Sequence, residues 1–216
     1  MDKAALAAGV RLIALTRPGY GDTDPLPGRR VAVAADDVRE VLDHLGIGTF
    51  VTLGWSGGGP HALACAARLP GRCLAAATLG SIAPCGAAGL DFLAGMGEEN
   101  VVEFSAAMSG EAALSAWMAG DGAAYRTITA ETLFAAFGSL LPPVDTKVLT
   151  GELVESLAET IRHALMHGVR GWLDDDLVFV NPWGFDVREI RVPTIVWQGH
   201  AFASLPVLRP TFSISS

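Results

Sequence analysis

Residues 54–70 read GWSGGGPHALACAARLP. A serine stands between Trp55 and three glycines, directly after the apolar run FVTLG (50–54) and directly before an alanine-rich segment. The run reads as a buried strand, and Pro60 to Leu69 as a helix whose alanines allow close packing on a sheet. Gly54-Trp55-Ser56-Gly57-Gly58 thus spells glycine-any-serine-any-glycine at a strand-to-helix junction. In such an elbow the backbone turns so sharply that small residues are needed two positions either side of the serine. The helix aims its positive end at the turn, and the Gly57 N–H is placed to donate to an oxyanion. The bland alternative is a glycine-rich turn with an idle serine; the strand before and the helix after favour the elbow.

Working outward, RLIALT (11–16) is a short apolar run ending at Pro18-Gly19, read as a buried strand entering a loop. Asp36 to Leu45 has helical spacing at Val38, Val41, Leu42 and Leu45, with two aspartates at its start and Gly46 as its stop. CLAAATLG (73–80) is a third strand, and VPTIVWQG (192–199) a later one. Strand, helix, strand, helix, strand in this rhythm predicts a parallel sheet with crossover helices. Residues 86–185 are punctuated helical segments. The clearest runs from Glu152 to His167, with Leu153, Leu157, Ile161 and Leu165 as an apolar stripe and Gly168 as its stop.

Half of the 216 residues are apolar and 18% are charged, so the chain can bury a sizeable core. A net charge of −8 without a basic stripe argues against nucleic acid and anionic membrane surfaces as partners. Cys65, Cys73 and Cys85 have no metal-type spacing and read as buried thiols. The first fifteen residues faintly imitate a signal peptide, but Arg11 interrupts the apolar run and no cleavage site follows. No run is long enough to cross a bilayer. A cytoplasmic protein is expected.

The chain resembles the α/β-hydrolase family over about residues 5–199. RLIALTRPGYGDTD resembles the family's strand and loop RxxxPDxRGxGxS, VTLGWSGGGPHAL its nucleophile strand and elbow, and IRVPTIVWQG the strand leading to its acidic triad member. The resemblance implies Ser56 as nucleophile, with Gly57 as an oxyanion donor and Gly54, Trp55 and Gly58 completing the elbow. It also implies a core of 1–85 and 186–216, with 86–185 as a helical lid insertion.

The remaining machinery is harder to find. A serine needs a base, and the base an orienting acid. The family's acid follows WQG in a segment resembling GxxDxxVP; here that stretch reads GHAFASLP, and residues 201–216 contain no Asp, Glu or His. The family's His-Gly oxyanion motif would precede residue 1, and the strand carrying it would lie between 11–16 and 50–54. Its loss leaves apolar strand edges exposed, a route to a homo-oligomer. A shifted reading frame is expected from about residue 200, where the pattern breaks.

His200 is the candidate substitute base. His61 lies in the first turn after Ser56 and reads as a packing residue; His44 suits a helix C-terminus. His163 and His167, four apart, lack a third metal ligand and read as surface residues. Asp174-Asp175-Asp176 reads as a solvated turn or helix start, and Asp91 has no histidine to orient.

The expectation is therefore an α/β fold: an incomplete parallel hydrolase sheet with crossover helices and an inserted helical lid. The parent activity is hydrolysis of a small ester- or amide-type substrate through a Ser56 acyl-enzyme, weak or absent in this chain, with no metal or organic cofactor. The rival is a non-catalytic remnant or binding module that keeps the elbow.

Overall fold

A computed structural model describes residues 2–137, 149 and 151–198. Three strands form a parallel sheet in the order β1 (Phe50–Trp55), β2 (Cys73–Leu79), β3 (Thr194–Trp197). A short helix, α1 (Asp2–Ala7), opens the chain, and α2 (Val33–His44) precedes β1. The crossover α3 (Gly58–Arg68) joins β1 to β2. It lies against both strands, burying Ala62, Ala64, Cys65 and Ala66 over Gly54, Ala76 and Thr78. The small residues on both sides let helix and sheet approach closely, as the alanine pattern predicts.

One expected strand is missing. Residues 10–17 form no ladder, and Val10, Leu12 and Leu15 are exposed. An apolar run becomes a strand only when a neighbour takes up its N–H and C=O groups. Among the described residues β1 pairs with β2 alone, so no strand edge reaches this segment. The parallel sheet is as expected, one strand shorter.

The sheet is covered on one face. Its register puts Val51, Leu53 and Trp55 opposite Ala75, Ala77 and Leu79, and the last two opposite Ile195 and Trp197. On this face Val51, Leu53, Trp55, Ile195 and Trp197 all remain about half exposed or more.

Between β2 and β3 run five described helices: α4 (Glu98–Ser109), α5 (Glu111–Trp117), α6 (Ala130–Phe137), α7 (Glu152–Ala164) and α8 (Arg170–Phe179). A π-helical turn at Met118–Gly122 and a 3₁₀ turn at Tyr125–Thr127 follow α5. Of the expected α7 stripe, Leu157, Ile161 and Leu165 turn inward, joined by the buried Val154 and Ala158, while Leu153 faces solvent. The α6 face supplies Leu133 to that cluster, which decides which side of α7 turns inward. The α8 helix joins the main core, where Val178 and Phe179 pack with Val31, Ala64, Ile82 and Phe104.

Candidate active site

Ser56 sits at the C-terminal end of β1 with φ +51°, the sole non-glycine in the left-handed region among the described residues. L-residues avoid this region because Cβ crowds the following carbonyl. The elbow is held from two sides. The Ser56 N–H donates to the Leu79 carbonyl at 2.9 Å, and the Ser81 hydroxyl donates to the Ser56 carbonyl at 2.9 Å.

The glycines divide the work differently from the sequence pattern. A Cβ on Gly54 would run into the backbone of Gly58 and Gly59, so Gly54 is required by close approach. Gly58 itself has open space where a Cβ would go; the second tight position is Gly59, against Ser81. The turn therefore leaves no room for a Cβ on Gly54 or on the third glycine, while a Cβ on Gly58 would meet nothing.

Gly57 caps α3 with helical φ, and a Cβ there would meet the Phe179 ring at 3.2 Å. Among the described residues no acceptor takes its N–H, which leaves that donor available at the helix start. Ser56 is exposed, with no hydrogen-bond partner for Oγ among the described residues, and Trp55 beside it is half exposed.

Behind the elbow lies a polar cluster that sequence reading missed. The Asp174-Asp175-Asp176 run, expected as a solvated turn or helix start, is buried inside α8. The correction has a plain cause: counter-charges arrive from the far end of the chain. Arg17 Nη2 lies 2.7 Å from Asp175 Oδ2, and its Nε donates to the same oxygen at 2.9 Å. The Tyr20 hydroxyl donates to it at 2.8 Å. Arg29 Nη2 sits 2.7 Å from Oδ1, with both side chains almost fully buried.

Burial opposes the charge on Asp175, but Arg17, Arg29 and the Tyr20 hydroxyl outweigh it and hold the carboxyl below its ordinary range. Burial and the Asp175 charge push the Tyr20 hydroxyl well above its usual value. The neighbouring aspartates differ. Asp174 pairs with Arg170 at 2.6 Å. Asp176 is pushed far up by burial and by the adjacent Glu103, which favours its protonated form. Glu103 is itself raised by burial, and accepts from Trp172 Nε1 at 2.7 Å.

His61 links this cluster to the elbow. It is buried, stacks edge-on to Phe179, and places Nδ1 3.0 Å from the Gly57 carbonyl oxygen. Its packing role is as expected. Of the other candidates, His163 and His167 are exposed, with His167 3.1 Å from Asp22, and Asp91 is exposed and accepts from the Leu93 N–H. His44 ends α2. His200 lies outside the described residues. The described residues contain no group of three or more His, Cys, Asp or Glu able to hold a metal, and no helix long and apolar enough to cross a membrane.

Residues 1–104 match the profile of the alpha/beta hydrolase fold family. Among solved structures, an alpha/beta hydrolase fold protein from Nakamurella multipartita is similar at 26% identity and TM-score 0.54. The match covers 93% of this chain and 68% of that one. The epoxide hydrolase CorEH is similar at 17% identity and TM-score 0.58, over 85% of this chain and 63% of its own. A structure from a study of carboxylesterases of Nitrososphaera gargenis is similar at 18% identity and TM-score 0.53, over 90% and 64%. The chain thus spans about two thirds of the length of these proteins. No curated protein matches the sequence significantly.

Proposed function

From the match of residues 1–104 to the alpha/beta hydrolase fold family, we propose that the chain's parent chemistry is hydrolysis of a small ester or related bond through a Ser56 acyl-enzyme. In this reading Ser56 Oγ gives its proton to a base and attacks the carbonyl carbon, while the Gly57 N–H donates to the developing oxyanion. The ester C–O bond breaks, the alcohol leaves with that proton, and water then cleaves the acyl-serine to release the acid. The observation that carries it is the backbone at Ser56. A non-glycine at φ +51°, backed by a glycine that tolerates no Cβ, is strain placed at a hydroxyl that faces solvent. Helices of the 86–185 block form the lid over the substrate.

Turnover by this chain is weak. The buried histidine nearest the elbow is committed to the Gly57 carbonyl, and burial drives its pKa down to about 4, too low for an efficient base near neutral pH. The same observation favours the second reading, a binding module that retains the elbow without the triad; His200 is the substitute base in the first. The protein is cytoplasmic in either reading, and it self-associates through the edge of β1 that is unpaired among the described residues.

A fluorophosphonate probe separates the two. Covalent labelling that is lost in Ser56→Ala supports the hydrolase, and His200→Ala then tests the base. No labelling, with a small ester still bound in equilibrium dialysis, supports the binding module.

A further inference from the structure

We propose that His61 is a positioning residue of the elbow: its neutral imidazole, packed beside the Asp175–Arg17–Arg29 cluster, donates from Nδ1 to the Gly57 carbonyl and holds the Gly57–Gly58 peptide in place. The catalytic consequence rests on the Ser56 hydrolase reading; the hydrogen bond itself does not.

The proton's place follows from its partner. A carbonyl oxygen only accepts, so a nitrogen 3.0 Å away must carry the hydrogen. The other nitrogen, Nε2, lies 3.5 Å from Asp175 Oδ1, beyond normal hydrogen-bond range, and has no hydrogen-bond partner. The groups facing the ring are Asp175 from α8 and Arg17 and Arg29 from the segment before α2, with Asp37 of α2 lining the same small cavity. Two guanidiniums already neutralise Asp175, and a third buried cation beside them is disfavoured. Hydrogen on Nδ1 satisfies the Gly57 carbonyl and leaves Nε2 unpartnered, 3.5 Å from Asp175 Oδ1.

The mechanical chain is short. Phe179 presses on His61 edge-on and closes the space beside the Gly57 Cα. The His61 ring grips the Gly57 carbonyl from α3's first turn. Gly57 is thus held by its carbonyl and its α-carbon at once, which fixes where its N–H points. A donor that must meet an oxyanion gains from being held before the reaction begins. Glycine would otherwise leave this position loose.

The test uses the full chain, labelled with ¹⁵N. Long-range ¹⁵N–¹H correlation of the imidazole at pH 7 should show a neutral ring protonated at Nδ1; an Nε2–H tautomer or an imidazolium overturns the proposal. Asn can place its amide nitrogen where Nδ1 lies, whereas Gln reaches the Nε2 position. The Gly58 amide resonance, which reports on the Gly57 carbonyl, should stay close to the parent's in His61→Asn and move in His61→Gln. Equal displacement in both, or in neither, also overturns it. If the parent labels with a fluorophosphonate, His61→Asn should slow labelling by less than about threefold and His61→Gln by about tenfold or more. Equal slowing by both substitutions counts against the proposal. A parent that does not label removes the hydrolase reading, while the tautomer and the Gly58 resonance still decide the hydrogen bond.

Discussion

Gly19 and Gly171 meet backbone on backbone. The Gly171 N–H donates to the Gly19 carbonyl at 3.1 Å, and a Cβ on Gly171 would stand 2.6 Å from that carbonyl and 2.7 Å from the Tyr20 ring. A Cβ on Gly19, at φ +86°, would stand 2.8 Å from the Gly171 Cα. This contact seats the loop after residue 16 on the start of α8. Only from there do Arg17 and Tyr20 reach Asp175.

Gly171→Ala should therefore lower stability by about 2 kcal/mol or more, because the Gly19 backbone cannot yield as a side chain would. Gly120→Ala, with open space around its Cβ, should change it by less than about 0.5 kcal/mol. Urea unfolding of the two variants checks this. Equal midpoints would show that the loop does not depend on close seating.

The carboxyl pair sets a pH dependence with a definite sign. Burial and Glu103 raise Asp176 far above its unfolded value, so the unfolded chain releases a proton that the folded chain keeps. Stability from this group is full below the unfolded pKa and falls as pH rises towards the folded one. His61, held near 4 chiefly by burial, acts oppositely: its contribution is full above about 6.5 and is lost as pH falls towards 4. Asp176→Asn keeps a donor towards Glu103 and removes only the first effect. The variant should gain stability over the parent at pH 8 and not at pH 4, as read from thermal midpoints at both values. A loss at pH 8 would show that Asp176 is ionised in the fold.

The elbow, α3 and the parallel sheet were legible because their causes are local. Gly54, Ser56 and the alanines of α3 sit within one short stretch, and their spacing alone demands strand, turn and helix. The strand expected at 11–16 was not, because an apolar run becomes a strand only when a partner edge reaches it. The polar cluster was hidden for a different reason. Asp175 becomes buriable through Arg17 and Arg29, more than a hundred residues away in sequence, and no local pattern announces that pairing. One signal was present: the three aspartates lie in WLDDDLVFV, flanked by large apolar residues with no helix breaker. Likewise Gly58 looked essential by motif, yet the crowding falls on Gly54 and Gly59.

The strain at Ser56 yields a prediction of its own. Glycine adopts φ +51° without the Cβ clash, so Ser56→Gly should raise stability by up to about 1 kcal/mol, after allowing for glycine's larger unfolded-state entropy. Ser56→Ala keeps the Cβ and should not gain. Both variants should lose fluorophosphonate labelling if the parent has it. Urea midpoints measured side by side test the strain independently of chemistry. A Ser56→Gly variant less stable than Ser56→Ala would mean that the turn is not strained.

The bare face of the sheet sets the last expectation. Leu53 is 52% exposed and Trp197 69% exposed, and the register places Leu53, Ala77 and Ile195 in one row across that face. Beside it runs the outer edge of β1, whose sequence FVTLGW carries no charge and no proline to deter another strand. Backbone groups and apolar side chains are thus offered together, the combination that draws a second copy into edge-to-edge pairing. The chain should elute in size-exclusion chromatography with light scattering above its monomer mass of 22.5 kDa, increasingly so at higher concentration. Leu53→Lys places a charge on the face beside that edge and should shift the distribution to monomer, because pairing would bring two such lysines together and bury them. Glu131→Lys, on the distant α6, adds positive charge without touching the sheet and should leave the distribution unchanged. A parent that is monomeric at every concentration, or variants that shift alike, would rule out association through β1.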